Sequence, residues 1–292
     1  MELVLQTCMN ALVASSFTAL IAVGLVLIFG VMGIVNFAHG ELYMVGAYVV
    51  WFLYGLQGWP FELAVPAAIV VVGALGMVME RLLFRPMRTN PLGGLIMSVG
   101  VLFILQVAAL DLGGGMGRAK HVTPAYRGVV TLFGTEGVTI PVQRLIVIVV
   151  AVALLGALWL LLHRTRTGWA LRACAQDPDA AALQGISRNK FAMLAMALGA
   201  GLAGGAGGVM APLIPVEPYM GGAVIVTTFI VIVVGGIGSL EGAALAAVGY
   251  TFFHTFVTTY LDGTIASILG LLIMMLVLVV KPTGLMGAAE KV

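Results

Sequence analysis

Asn36, His39 and Glu41 fall within six residues of one another, around Gly40, in the middle of the otherwise apolar run GLVLIFGVMGIVNFAHGELYMVGAY at residues 24–48. An amide, an imidazole and a carboxylate set so close can carry protons or hold a solute by hydrogen bonds. In hydrocarbon each unpaired polar group costs several kcal/mol, so ionisable side chains and irregular backbone persist only where they line a cavity or pack inside protein. The trio therefore predicts a polar path within a membrane protein. A second polar break, Gly236-Ile237-Gly238-Ser239-Leu240-Glu241, interrupts the apolar sequence nearer the C-terminus. A serine nucleophile with His254 as its base is one chemistry for it. On one predicted span, however, those residues stand roughly 22 Å apart at about 1.5 Å per residue, which excludes a dyad from that span alone.

Composition dictates the elements that must position these groups. Hydrophobic residues make up 61% of the 292, only 9% are charged, and the mean hydropathy is +1.14. A soluble domain carries about a quarter charged residues. At about 20 residues per crossing, apolar spans are predicted near 10–33, 41–57, 62–83, 92–112, 141–162, 190–212, 223–238, 240–260 and 264–280. The expected fold is an all-α polytopic transmembrane helix bundle of about eight to nine crossings, with broken or re-entrant helices, in a single domain over 1–292. The 39 glycines fit helices that approach closely in lipid. Overlapping small-residue pairs at Gly201, Gly204, Gly205 and Gly208 read as a packing face.

Basic residues set the orientation. Arg81, Arg85, Arg88, Arg164, Arg166, Arg172, Arg188, Lys190, Lys281 and Lys291 fall on one side, ten of the fourteen in the chain, and the positive-inside rule makes that side cytoplasmic. Arg118, Lys120, Arg127 and Arg144 accompany the long loop 113–140 on the other. The N-terminus is then outside and the C-terminus cytoplasmic; a segment around His39 that dips in and returns would remove one crossing and move the N-terminus inside. With no Lys or Arg before Arg81, the chain is expected to begin at a mature N-terminus rather than at a signal peptide. Cys8 and Cys174 are predicted near opposite faces, so no disulfide framework is expected. No His/Cys cluster has zinc spacing, no cofactor is implied, and the basic residues serve topology rather than nucleic-acid binding.

The loop 163–190 carries a second set of signals. Asp177 is a good helix N-cap, Pro178 fits the first helical position, Asp179 suits the positive helix end and Gly185 supplies a C-terminal stop. They predict a helix of about two turns, ~10 Å long, marginal in water unless something packs on it. Its body, Ala180, Ala181, Ala182 and Leu183, is small and apolar although it faces the cytoplasm. Two readings stand open from capping alone: a loop helix lying back on the bundle, or a plug for a partner's groove.

Asp179-Ala180-Ala181 followed by Gly185 resembles the EAA…G signature of bacterial ABC importer permeases, with Asp in place of Glu. Three further stretches narrow the likeness. They are Gly33-Ile34-Val35-Asn36-Phe37-Ala38-His39-Gly40 with Tyr43 to Tyr48, Val234-Gly235-Gly236-Ile237-Gly238-Ser239 with Gly242, and Arg164-Thr165-Arg166-Thr167-Gly168 with the ending Lys281-Pro282-Thr283-Gly284-Leu285. Over nearly its whole length the chain resembles the LivH-type permeases of the bacterial branched-chain amino-acid ABC uptake family. The resemblance implies a non-enzymatic inner-membrane subunit paired with a paralogous permease, two cytoplasmic ATP-binding subunits and a periplasmic substrate-binding protein, all amid membrane lipid. It also implies that Asp177, Asp179, Ala180, Ala181, Leu183 and Gly185 couple the permease to the ATPase.

The residues themselves agree with that assignment. No G-x-x-x-x-G-K-[ST] phosphate loop is present, so energy must come from another subunit or an ion gradient. A docking helix favours the subunit over a gradient-driven secondary carrier. Shifting the sequence by 202 positions pairs His39-Gly40 with Glu241-Gly242 and Tyr48 with Tyr250, an internal echo that predicts the two breaks to lie near one another. The expected path residues are Asn36, His39, Gly40 and Glu41 from one break and Gly236, Gly238, Ser239 and Glu241 from the other. The alternative is that His39 and Glu41 pair with each other or with backbone, or that Glu41 and Glu241 sit near membrane ends and reach water. His254 reads as a satisfied interior histidine, and Pro212 to Pro218 as either a receptor-docking loop or a rigid connector. Branched-chain amino acids head the candidate substrates; aromatic compounds, amides and urea fit the same path.

Overall fold

The computed structural model describes residues 2–113, 117–131 and 139–287; Lys291 of the expected cytoplasmic set lies outside them. The elements are α1 (Glu2–Met32), α2 (His39–Val50) running on as a π-helical turn to Leu56, α3 (Phe61–Met79) continued by tighter and wider turns to Met87, α4 (Pro91–Leu112), α5 (Val142–Arg164), α6 (Arg166–Gln176), α7 (Pro178–Leu183), α8 (Arg188–Met210), α9 (Met220–Gly235), α10 (Leu240–Tyr260) and α11 (Gly263–Val280). A short antiparallel ribbon, β1 (Val129–Thr131) with β2 (Thr139–Pro141), and an isolated bridge between Lys120 and Val216 depart from the all-α pattern among the described residues.

Six helices are long and apolar enough to cross a membrane: α1, α3 with its continuation, α4, α5, α8 and α11. The pair α9–α10, bent by 118°, adds a seventh if it is taken as one span. The shortfall from the expected eight to nine has a physical origin. The first six residues of the 33–56 passage are not helical, His39 and Glu41 dilute the rest, and α9, at 16 residues, is about 24 Å long against a hydrocarbon core of about 30 Å.

Contacts at the helix ends orient the bundle. Arg144 at the start of α5 donates to Asn10 Oδ1 at 2.6 Å, whereas Gly30 lies against Ala175 of α6, so α1 runs toward the end bearing Arg164, Arg172, Arg188 and Lys281. Residues 33–38 then turn back into the bundle. Ile34 packs on Gly94 near the start of α4, the Phe37 amide donates to Ser98 Oγ at 3.1 Å, and His39 reaches Ile21 halfway up α1. The α2 passage continues to the opposite end, where Trp51 lies beneath Lys120, 5.5 Å from its ring centre.

α1 and α8 form the buried axis, and small residues let α8 sit there. A Cβ on Gly24 would stand 2.8 Å from the Gly199 carbonyl, Gly205 packs on Ile69 of α3, and Gly207 is pressed onto the Tyr43 carbonyl of α2. Without water to drive helices together, such backbone approach maximises van der Waals contact. The stripe on α8 is therefore a packing face, as its spacing predicts. Val216 in the 212–218 connection exchanges both backbone hydrogen bonds with Lys120, each 2.9 Å, and is buried, which ties that segment to the loop before β1.

Candidate translocation path and coupling surface

Asn36, His39 and Glu41 are all fully buried. Asn36 makes a local turn, its Oδ1 accepting from the Ala38 amide at 3.1 Å. His39 Nε2 stands 3.1 Å from the Ile21 carbonyl, which only accepts, so the proton sits on Nε2. Glu41 Oε1 accepts from Gln106 of α4 at 2.9 Å. His39 and Glu41 thus pair with backbone and with Gln106 rather than with each other. Glu41 lies inside the bundle and not at a water-facing membrane end, because the non-helical segment 33–38 consumes half the depth before α2 begins. Asn36 Nδ2, His39 Nδ1, Glu41 Oε2 and Tyr43 OH have no hydrogen-bond partner among the described residues. Four such groups in one buried helix start form a half-satisfied network, costly at low dielectric.

Gly40 packs backbone to backbone on Gly221, the second residue of α9. A Cβ on Gly221 would stand 2.6 Å from the Gly40 carbonyl and 2.7 Å from Glu41 Oε2. At the far end of α9, Gly236 turns the chain with φ +107° and Gly238 with φ +92°. Ser239 Oγ caps α10 by accepting from the Gly242 amide at 3.0 Å. The C-terminal segment closes over this turn, the amides of Leu285 and Met286 donating to the carbonyls of Val234 and Gly235 at 2.9 and 3.0 Å. Glu241 is exposed beside Trp159 and His163.

The two polar breaks are therefore not neighbours. They grip opposite ends of α9, about 21 Å apart along its axis at 1.5 Å per residue. The 202-residue echo does not correspond to a spatial pairing, because α9 itself separates the two segments.

Between them α9 lines a feature that motif reading missed: a cleft of about 210 Å³ bounded by α1, α9 and α10. Thr18, Thr227, Thr228, Thr251 and Thr255 present hydroxyl-bearing side chains to it, alongside Tyr250 and His254. His254 is only partly buried and lies 3.5 Å from the Thr258 hydroxyl, so it is a lining residue rather than a sequestered interior one. The available signal was the threonines spaced four apart, Thr251 and Thr255, within an apolar span.

At the basic end, α6 folds back tightly on α5, with Thr165 Oγ1 accepting from the Gly168 amide at 3.0 Å. Leu171 and Cys174 are buried beneath it; burial pushes the Cys174 thiol up, opposed by nearby Arg188, so it stays a neutral, packed group. α6 is a full helix where a loop was expected, with Gly168, Leu171 and Cys174 at helical spacing on its inner face. α7 follows with the local design its sequence predicts. Asp177 Oδ1 accepts from the amides of Asp179 and Ala180 at 3.0 and 2.9 Å, Pro178 opens the helix, and Gly185 ends it at φ +79°. Ala181 is the one buried residue of the helix, packing it down, while Asp179, Ala180, Ala182 and Leu183 are exposed, Leu183 by 87%.

At the same end of the bundle the residues that follow α3 form an ion cluster. Fully buried Glu80 accepts from Arg85 Nη2 at 2.8 Å and from Arg88, whose other nitrogen donates to Asn189 Oδ1 at 2.6 Å. Burial pushes the Arg88 guanidinium down and Glu80 opposes it. The cluster ties the end of α3 to the start of α8, the helix that follows α7.

No solved structure matches the chain significantly. Residues 7–280 match the family described as branched-chain amino acid transport system / permease component. The chain is 32% identical over 296 residues to the high-affinity branched-chain amino acid transport system permease protein BraD of Pseudomonas aeruginosa, covering 98% of this chain and 96% of that one. It is equally identical over 300 residues, with the same coverage, to the corresponding LivH of Escherichia coli. To the probable branched-chain amino acid transport permease protein LivH of Methanocaldococcus jannaschii it is 29% identical over 301 residues, covering 97% and 92%. With its apolar spans, its half-satisfied interior and its capped exposed turn, the chain belongs to the family of branched-chain amino acid transport permease components.

Proposed function

We propose that this permease forms half of the membrane channel of an ABC importer for branched-chain or related neutral amino acids, moved by ATPase subunits that grip α6 and α7. The observation that carries the reading is Leu183. A leucine 87% exposed at the tip of a six-residue helix has no reason to be there for stability, since such a helix is marginal without packing. A partner's groove gives it one. The basic end is then cytoplasmic, the partner motors are two ATP-binding subunits, a paralogous permease completes the channel, and a periplasmic binding protein delivers substrate to the opposite end. Asp177 and Gly185 shape the coupling helix, Ala181 seats it, and Asp179, Ala180 and Leu183 meet the ATPase. The alternation of helix ends, with 33–56 counted as one broken passage and α9 and α10 as two short ones, supports nine crossings within the single domain.

Both polar breaks serve as hinges of α9. Asn36, His39, Gly40 and Glu41 hold its start; Gly236, Gly238, Ser239 and Glu241 form the turn at its end. An interior left half-satisfied in one arrangement favours a second arrangement that satisfies it, which is what alternating access requires.

Leu183→Asp tests the motor contact. The substitution lies on an exposed tip, so folding stability should change by no more than about 0.5 kcal/mol, while ATP-dependent leucine uptake in cells is lost and co-purification of the ATPase weakens. Undiminished uptake would remove the docking role.

A further inference from the structure

We infer that the hydroxyl-lined cleft between α1, α9 and α10 is the surface on which the substrate rests midway through the membrane, a neutral zwitterionic amino acid with an aliphatic side chain. The inference rests on the importer reading above and assigns residues that neither the sequence motifs nor the family comparison singles out.

Depth comes first. Thr18 lies 14 residues before the end of α1, Thr228 in the middle of α9 and Thr251 in the middle of α10. All three helices therefore bring their hydroxyls to the cleft far from either end. Hydroxyls gathered at mid-depth are costly against lipid, and membrane carriers place substrate sites near that plane.

Satisfaction comes second. Thr228 spends its proton on the Val224 carbonyl at 2.7 Å and keeps its oxygen lone pairs. Thr251, only 6% exposed, has no partner for its hydroxyl among the described residues, yet it lines the cleft. A buried hydroxyl facing a cavity without a bond is the mark of a group awaiting something that can take one.

The chemistry of the lining then selects the occupant. A hydroxyl both donates and accepts, so threonines can meet a carboxylate and an ammonium alike. Phe17, Ile21 and Val224 supply an apolar wall for an aliphatic side chain. No Asp, Glu, Lys or Arg lines the cleft, so a cationic solute finds no counter-ion and an anionic one meets only the His254 imidazole, while a zwitterion is held loosely enough to leave. Weak holding is what a conducting path needs. The volume, about 210 Å³, lies below the 300–1,000 Å³ of drug-sized pockets and suits a single small molecule. Ala14, Phe17, Ala223 and Thr255 form a rim that is not buried in the single chain, so the cleft is open on that side for a solute to enter.

The test is uptake of radiolabelled leucine, with lysine as the charged control, by proteoliposomes holding the complete importer. Thr251→Val, which keeps shape and removes the hydroxyl, should lower leucine uptake at least tenfold while the assembled complex is recovered in normal yield; Thr251→Ser should keep most of the activity. Thr255→Val on the rim, which disturbs no buried packing, should lower it about threefold. Uptake by Thr251→Val within twofold of the parent, or Thr251→Ser failing as badly as valine, would overturn the site and leave the importer reading intact. A parent complex without ATP-dependent leucine uptake would sink both.

Discussion

The start of α2 and the whole of α7 are the two places where residue type and surroundings disagree, and they disagree in opposite senses. Around His39, an amide, an imidazole and a carboxylate are sealed inside a membrane bundle with several of their polar atoms unmatched. At α7 a leucine is held out into solution on a turn whose polar cap is fully matched. Burying unmatched polar atoms lowers the stability of an isolated chain, and an exposed large apolar side chain adds nothing to it. The first is tolerated where a second conformation or a solute completes the network, the second where another subunit does. On the proposed reading the contrast separates a moving interior from a docking exterior.

The largest effect is expected where the Glu80 cluster between α3 and α8 is broken. Arg88→Ala leaves Glu80 buried with Arg85 alone, and removal of one partner of a buried pair costs about 3–5 kcal/mol, here toward the lower figure because Arg85 remains. The thermal unfolding midpoint of the purified protein in detergent should drop by several degrees. No change would show that the cluster contributes nothing to stability.

A smaller effect sharpens the interior side of the comparison. Sequence reading treats Gly40 and Gly238 alike, both as path glycines. The structure separates them. A Cβ on Gly40 meets the Gly221 carbonyl and comes within 2.9 Å of Ile225 Cβ, whereas a Cβ on Gly238 would meet nothing within 4 Å, and that position is constrained by its φ of +92°. Gly40→Ala should therefore push α2 off α9, abolish uptake and lower stability by about 1–3 kcal/mol, the usual range for overpacking. Gly238→Ala should cost about 1–2 kcal/mol through backbone strain alone and leave measurable transport. Equal behaviour of the two variants in uptake and thermal melts would dissolve the distinction.

The smallest effect concerns the cap. Asp177→Ala removes the acceptor for two amides at the start of α7, at about 1 kcal/mol. Because the helix has only six residues, that loss should fray it locally: uptake falls a few-fold, the global melting point hardly moves, and Asp177→Asn restores function. A global melt that shifts as far as for Arg88→Ala would mean α7 is part of the core and not a displayed element.

Much of this architecture was legible beforehand where the determining interactions are local. Asp177, Pro178 and Gly185 define α7 because a cap, a fixed φ and a left-handed stop each act within a few residues. The apolar spans were legible because about 20 successive residues must satisfy lipid by themselves. The glycine face of α8 followed from its spacing. Less legible were α6, whose short amphipathic pattern is hidden among arginines, and the strand pair β1–β2, whose three-residue strands carry no periodicity.

What the residue order determined by itself is the chemistry held at each break: a polar trio that lipid would reject, a leucine on a capped turn, basic residues gathered on one side. Tertiary structure alone decided where those groups ended up. It put Glu41 beside Gln106 and not at a membrane surface, set the two breaks at opposite ends of α9, and drew threonines from three distant segments into one cleft. Caps and hydropathy are summed along the chain, but partnership in a bundle depends on which helices approach closely enough to share a wall, and that is settled by packing among residues 20 to more than 200 positions apart.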